Sequence, residues 1–364
     1  MSRWSEYHLD IDFLQFWQDR VRVSQGRILV IFALGFDPRG MDALRCLATL
    51  GLGQRLGYLA LRLQTPPVFA QNGAIARTLV EENTRALTAL DVGVAEGIID
   101  IETHDAEGHS VVGRRAVSAV SERPGILGNY SDVIVDISGM PRAAFYPLIS
   151  YLIRQADRGI FRNLHTAVGN DPMLDFRISG REYGNADYLH TFRRQGTERV
   201  VWLPVIGNNE VTRLQKIYGE LGDACVEICP ILPFPGTSLR RADDLLLQHS
   251  EVLFESLLVS PDNILLCDEE NPFDIYRKIL EVDAYYKGRL SGIAALGAVT
   301  TVVSPLASKM LSLGMLLAAV EKGLPVCHVE AGVYQVEGSD AAELKRDPTK
   351  PPTEIWIAGE PYVA

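Results

Sequence analysis

The chain reads as one plan written twice. Residues 28–35 (ILVIFALG) and 200–207 (VVWLPVIG) are apolar runs that end in Gly and lead into a polar loop and a helix-forming segment. Residues 132–149 (DVIVDISGMPRAAFYPLI) and 298–315 (AVTTVVSPLASKMLSLGM) form a second matched pair. In each, a β-branched run is followed by a Ser and then by a basic residue that opens an apolar helix. Between these landmarks the order of elements agrees, five strands alternating with four helices in each half, among them a helix over 142–157 in the first and a strand over 225–232 in the second. Such a duplication places two similar strand-end loops in one molecule, an arrangement suited to a ligand with two ends.

The strand segments VIVDI and TTVV are apolar on both faces, the pattern of parallel strands covered by helices on each side. Alternation with helices implies right-handed βαβ crossovers. The expected fold is therefore α/β, two tandem Rossmann-like units with doubly wound, mainly parallel sheets, related by internal duplication. The expected divisions are an N-terminal helical arm (1–26), a first repeat (27–168), a polar connecting segment (169–198), a second repeat (199–336) and a tail with one short strand (337–364). In the arm, Leu9, Ile11, Phe13, Leu14, Phe16 and Trp17 have helical spacing. That surface must be buried, on the first sheet or, as the alternative, on a protein partner.

A chain of 364 residues, 47% of them hydrophobic, accommodates two domains of ordinary size. Its net charge of −11, from 35 Lys+Arg against 46 Asp+Glu, argues against extended nucleic acid as a partner. A small anion held by a few local cations stays open. No apolar run reaches the ~18–20 residues that span a bilayer, so no membrane association is expected. The start, MSRWSEYHLDIDF, is acidic and does not read as a secretory signal. Five scattered Cys fit a reducing cytoplasm. Cys225 and Cys229 offer half a metal site, but no second Cys/His pair of suitable spacing follows. No metal and no cofactor are expected.

In open parallel sheets, ligands bind beyond the carboxyl ends of the strands, where free N–H groups at helix starts attract anions. Four loops qualify. The first holds Gly35, Asp37, Arg39 and Gly40; Arg39 supplies a fork for phosphate or carboxylate, while Asp37 doubles as a helix cap. The second holds Asp136, Ser138, Gly139 and Arg142, with Asp136 at the end of an apolar strand, where an unpaired carboxylate is costly. The third, Gly207, Asn208 and Asn209, is the partner of the first and offers uncharged amides to a base or sugar. The fourth, Ser304, Ser308 and Lys309, is the partner of the second. Asp268, Glu269 and Glu270 close another strand of the second half and, with Asp136, are the candidate acid/base groups. Phe234, in the loop PFPGT, either stacks on a base or caps the core.

At residues 138–142 (SGMPR) and 304–314 (SPLASKMLSLG) the sequence resembles the CARF (CRISPR-associated Rossmann fold) sensors and related Rossmannoid domains. The resemblance implies a strand-end loop that cradles a cyclic oligonucleotide, and a separate effector protein. The usual Gly-Gly-Thr-Lys is replaced in both loops, which leaves the ligand open. The first reading is a cytoplasmic binding module for a nucleotide-like or phosphate-bearing ligand between two pseudo-symmetric halves, a sensor or accessory subunit in bacterial defence. The alternatives are a nucleotide- or nucleoside-processing enzyme using a strand-end carboxylate, and a structural subunit of a protein complex.

Overall fold

A computed structural model of the chain describes residues 2–64, 73–123, 125–196, 198–290, 297–336, 344 and 350–362. It divides into two compact units, one of Glu6–Glu182 with Gly332–Ala364, the other of Met1–Ser5 with Tyr183–Ala331. In chain order the first unit contributes β1 (His8–Asp10), α1 (Phe13–Val23), β2 (Ile28–Leu34), α2 (Asp42–Ala48), β3 (Leu56–Gln64) and α3 (Ala74–Ala89). It continues with β4 (Val94–Glu102), α4 (Val112–Ser121), β5 (Asp132–Asp136), α5 (Arg142–Asp157), β6 (Asn163–Val168) and α6 (Pro172–Arg177). Strand β7 (Ile178–Tyr188) follows. The second unit has β8 (Arg199–Val205), α7 (Val211–Leu221), β9 (Cys225–Ile228), β10 (Ile231–Pro233), α8 (Arg241–Ser250), β11 (Leu265–Cys267), α9 (Pro272–Leu290), β12 (Val299–Pro305) and α10 (Lys309–Lys322). Strands β13 (Cys327–Val336) and β14 (Thr353–Ala358) complete the chain, and β13 pairs with β7.

The first unit is built on a seven-stranded sheet of order β1-β14-β6-β5-β2-β3-β4. Strands β2 to β6 are mutually parallel, and β14 and β1 add antiparallel at one edge. Counted along the chain, the parallel strands stand 3-2-1-4-5, the doubly wound order, with its reversal between β2 and β5. Every residue of β2 is buried, as expected for a central strand covered on both faces. The second unit's sheet runs β11-β10-β8-β12, with β9 also paired to β8, and its strands are parallel. Counting β9 and β10, both paired to β8, as one broken strand, its strands stand third, second, first, fourth, so its reversal falls between β8 and β12. Trp202, Leu214, Ile217, Leu245, Leu253 and Val302 fill the core of this unit.

Three expectations differ from the structure. Residues 225–232, expected as one strand, are two, β9 and β10, because Pro230 has no N–H for the ladder and breaks it. The expected separate divisions 1–26 and 337–364 merge with the first unit, since β1, α1 and β14 belong to it, and the arm's apolar surface is buried there, the first of its two expected destinations. Phe13 and Trp17 are fully buried there, and Trp17 Nε1 donates to Glu354 Oε2 at 2.9 Å. The polar segment 169–198 contains α6 and β7, which its Gly- and Arg-rich composition hides.

Candidate functional site

At the reversal point of the seven-stranded sheet, the loops after β2 and β5 close on each other. A Cβ on Gly139 would lie 2.9 Å from Gly40 Cα, so the two backbones are in contact. Asp136 is fully buried and fully used. Its Oδ2 accepts the Ala43 N–H at 3.0 Å in the first turn of α2, and its Oδ1 accepts the Ser138 N–H at 3.0 Å and the Ser138 hydroxyl at 2.6 Å. Ser138 Oγ in turn accepts the Gly169 N–H at 2.7 Å. The carboxylate thus anchors α2 and the loop after β5, as a structural group does.

Arg39 is likewise held inward. It is 4% exposed, donates from Nε and Nη2 to Asp37 at 3.0 and 2.9 Å, and from Nη1 to Asp175 at 2.7 Å. Burial disfavours its charge, but Asp37 and Asp175 outweigh that and hold the guanidinium more firmly protonated than usual. Asn83 closes the loop from α3, donating to the carbonyls of Gly35 and Asp37. Gly35 itself has open space around it, and Arg142 opens α5 half-buried. Two carboxylates on one guanidinium leave Arg39 itself with no net positive charge to offer an anion.

The carboxyl edge of the five-stranded sheet is arranged differently. Loops from the adjacent strands β8, β10 and β11 converge on Arg241, the first residue of α8. Arg241 Nη1 donates to Asn208 Oδ1 at 2.8 Å, across the loop after β8. Its Nε has no hydrogen-bond partner and stands 3.7 Å from Glu269 Oε1, after β11, an ion pair beyond hydrogen-bond length. Glu269 is 6% exposed, and its Oε2 accepts the Thr237 N–H at 3.0 Å, from the loop after β10. Gly236 fits beneath, because a Cβ there would meet Arg241 Cγ and Glu269 Oε2 at 2.9 Å. Phe234 in the same loop is 48% exposed and so does not cap the core.

Asn208 and Asn209 are both exposed, and Asn209 sits in the left-handed region at φ 59°, which Asn tolerates better than most residues. Gly207 abuts the loop after β12, where a Cβ would meet Leu306 O at 2.4 Å. Ser308 there caps α10, accepting the Leu311 N–H at 3.3 Å, and Lys309 is the first helical residue. Ser304 faces inward, donating to Cys327 O at 2.7 Å and accepting from Trp202 Nε1 at 2.9 Å. Asp268 Oδ1 accepts the Glu270 N–H at 2.9 Å, a local turn, and Glu270 is exposed.

The structure therefore brings Gly207, Asn208, Asn209 and Glu269 together with Arg241, and keeps Ser304 in the core. Sequence reasoning missed Arg241, although the loop PFPGTS followed by basic residues at a helix start repeats the logic that singled out Arg142. Among the described residues, Asp105, Glu107 and His109 bring potential metal ligands within 4.8 Å of one another, all on one surface loop. The Cys225 and Cys229 thiols are pushed up by burial to about 12 and about 11, which keeps them protonated. A cavity of about 450 Å³, lined by Arg20, Ser131, Arg162 and Glu360 among others, opens at the amino ends of β5 and β6. Its arginines are already paired with Asp132 and Glu360.

No protein-family model and no curated protein matches the chain. Among solved structures it is similar to a putative universal stress protein from Pseudomonas aeruginosa UCBPP-PA14, at 11% identity over 90% of this chain and 99% of that one, with a TM-score of 0.25. It is also similar to a universal stress protein from Archaeoglobus fulgidus DSM 4304, at 10% identity over 84% of this chain and 96% of that one, with a TM-score of 0.24. The α/β, mainly parallel class is read from the strand order and pairing above. No described helix is long and apolar enough to cross a membrane.

Proposed function

We propose that this protein is a binding module for a nucleotide-like ligand, seated at the carboxyl edge of the five-stranded sheet. The observation that carries the reading is the convergence of three strand-end loops on Arg241, one of them carrying an exposed Phe234. An aromatic face offers stacking to a base, worth ~1–3 kcal/mol. The amides of Asn208 and Asn209 and the carboxylate of Glu269 are hydrogen-bonding groups of the kind that read a base edge or ribose hydroxyl. Lys309 and the start of α10 lie two strand positions from β10, roughly 10 Å at the usual inter-strand spacing. That span is of the order of a nucleotide's length. The buried carboxylates Asp136 and Glu269 are engaged by backbone N–H groups, which favours binding over turnover.

A cytoplasmic setting fits the five free thiols. A sensor or accessory role alongside a separate effector, and a place in bacterial defence, rest on the resemblance of residues 138–142 and 304–314 to CARF loops alone. Calorimetry with AMP, adenosine and inorganic phosphate tests the binding reading. AMP is expected to bind more tightly than either half, and Arg241→Ala to weaken it by ~1.5–3 kcal/mol, the value of a charge-assisted hydrogen bond. Equal AMP affinity of wild type and Arg241→Ala, with the fold intact, removes Arg241 from the site.

A further inference from the structure

The loop after β8 is held by helix α8 through two successive side chains. Gln248 grips Asn209 twice, its Oε1 accepting the Asn209 N–H at 3.1 Å and its Nε2 donating to Asn209 Oδ1 at 2.8 Å. His249 is fully buried, and its ring is used on both sides. Nε2 accepts the Glu210 N–H at 3.1 Å, and Nδ1 faces Leu245 O at 2.8 Å. A backbone N–H only donates and a carbonyl only accepts, so the contacts fix the tautomer: Nδ1 carries the proton and Nε2 is bare. The neutral ring satisfies both partners. An imidazolium would direct a second N–H at the Glu210 N–H and lose that bond.

We propose that Gln248 and His249 are positioning residues that preset the 208–210 loop for ligand, and that protonation of His249 loosens the loop, so that binding weakens in acid. The inference rests on the reading of this edge as a nucleotide site. The charged groups nearest on the element that His249 grips are Glu210 and Arg213, ion-paired at 2.5 Å as a charge-neutral pair, while Lys216 and Glu220 lie further along α7. The acids nearest in sequence, Asp244 on α8 and Glu251 just beyond its end, are exposed. Burial then dominates and holds the ring's pKa below its usual value, although the bond to Leu245 O pulls the other way. The left-handed backbone at Asn209 is one that Asn tolerates, and the double grip of Gln248 holds it in place.

The test is an amide NMR titration over about pH 5 to 8, with and without AMP. Without nucleotide, the Asn209 and Glu210 amide signals are expected to move together with the His249 ring, at a midpoint below the usual value of about 6.5. AMP affinity is expected to fall about tenfold through the same midpoint, one lost hydrogen bond's worth. His249→Gln, which keeps a donor and an acceptor, is expected to bind AMP at neutral pH and to lose the pH dependence. Gln248→Ala is expected to weaken AMP binding while the ring still titrates. A Glu210 amide that ignores the ring's titration overturns the proposal, and so does a wild-type AMP affinity that stays flat across it. No AMP binding at any pH, with the amides still following the ring, overturns instead the nucleotide reading and leaves the His249 latch standing.

Discussion

His165 Nδ1 and Glu354 Oε1 lie 2.6 Å apart inside the seven-stranded unit, with neither side chain exposed. Nε2 of the same ring is 3.5 Å from Asp132 Oδ1, and Arg20 Nε donates to that oxygen at 2.9 Å. One charged cluster thus ties α1, β5, β6 and β14 together. Burial disfavours the imidazolium, but Glu354 and Asp132 outweigh burial and raise its pKa. A raised folded-state pKa stabilises the fold fully below the unfolded value of about 6.5, and that stability is lost as pH rises through the folded value. The melting temperature of wild type minus that of His165→Gln is therefore expected to shrink from about pH 6.5 upward. At neutral pH the variant is expected to lose about 3 kcal/mol, the cost of removing one partner of a buried pair. A difference that grows on the alkaline side means the ring is neutral.

Trp17 is the neighbouring prediction. It is fully buried and donates to Glu354, so Trp17→Ala is expected to cost about 3–5 kcal/mol in urea-unfolding experiments on the isolated protein. A partner-docking arm would leave that stability unchanged.

Asp136→Asn keeps the side chain's shape and replaces an acceptor of three hydrogen bonds with one that can turn a donor on a donor. The expected result is a loss of about 1–3 kcal/mol in stability with AMP binding retained. Stability equal to wild type would show that Asp136 does not anchor α2.

The glycines separate close approach from mere flexibility. Gly139→Ala and Gly207→Ala place a Cβ at 2.9 Å from Gly40 Cα and 2.4 Å from Leu306 O, so each is expected to cost about 1–3 kcal/mol by overpacking. Gly35→Ala meets nothing within 4 Å and is expected to stay within about 0.5 kcal/mol of wild type. Thermal melts of the three variants decide it; equal losses would place the loops farther apart than described.

The architecture was legible because the apolar runs are long and periodic. The limits of α5 expected from sequence, 142–157, coincide with those observed, and central β2 announced itself as unbroken hydrophobic sequence. Edge elements were not legible: β1 has three residues and the sequence of β7 is polar, so neither shows the hydrophobic alternation that marks a strand. The site was half legible. Strand-end position singled out Asn208, Asn209 and Glu269, which line the proposed site, and it singled out Arg39 equally, because charge can be read from sequence and pairing cannot. That Asp175, 136 residues away, cancels Arg39 is a fact of tertiary structure alone.

The most direct measurement of the central claim is an amide and side-chain NMR map of AMP binding to the wild-type chain. Shift changes are expected at Asn208, Asn209, Phe234, Thr237, Arg241, Ser308 and Lys309, around the carboxyl edge of the five-stranded sheet. Changes confined to residues 35–40 and 136–142, or none at saturating AMP, would contradict the account.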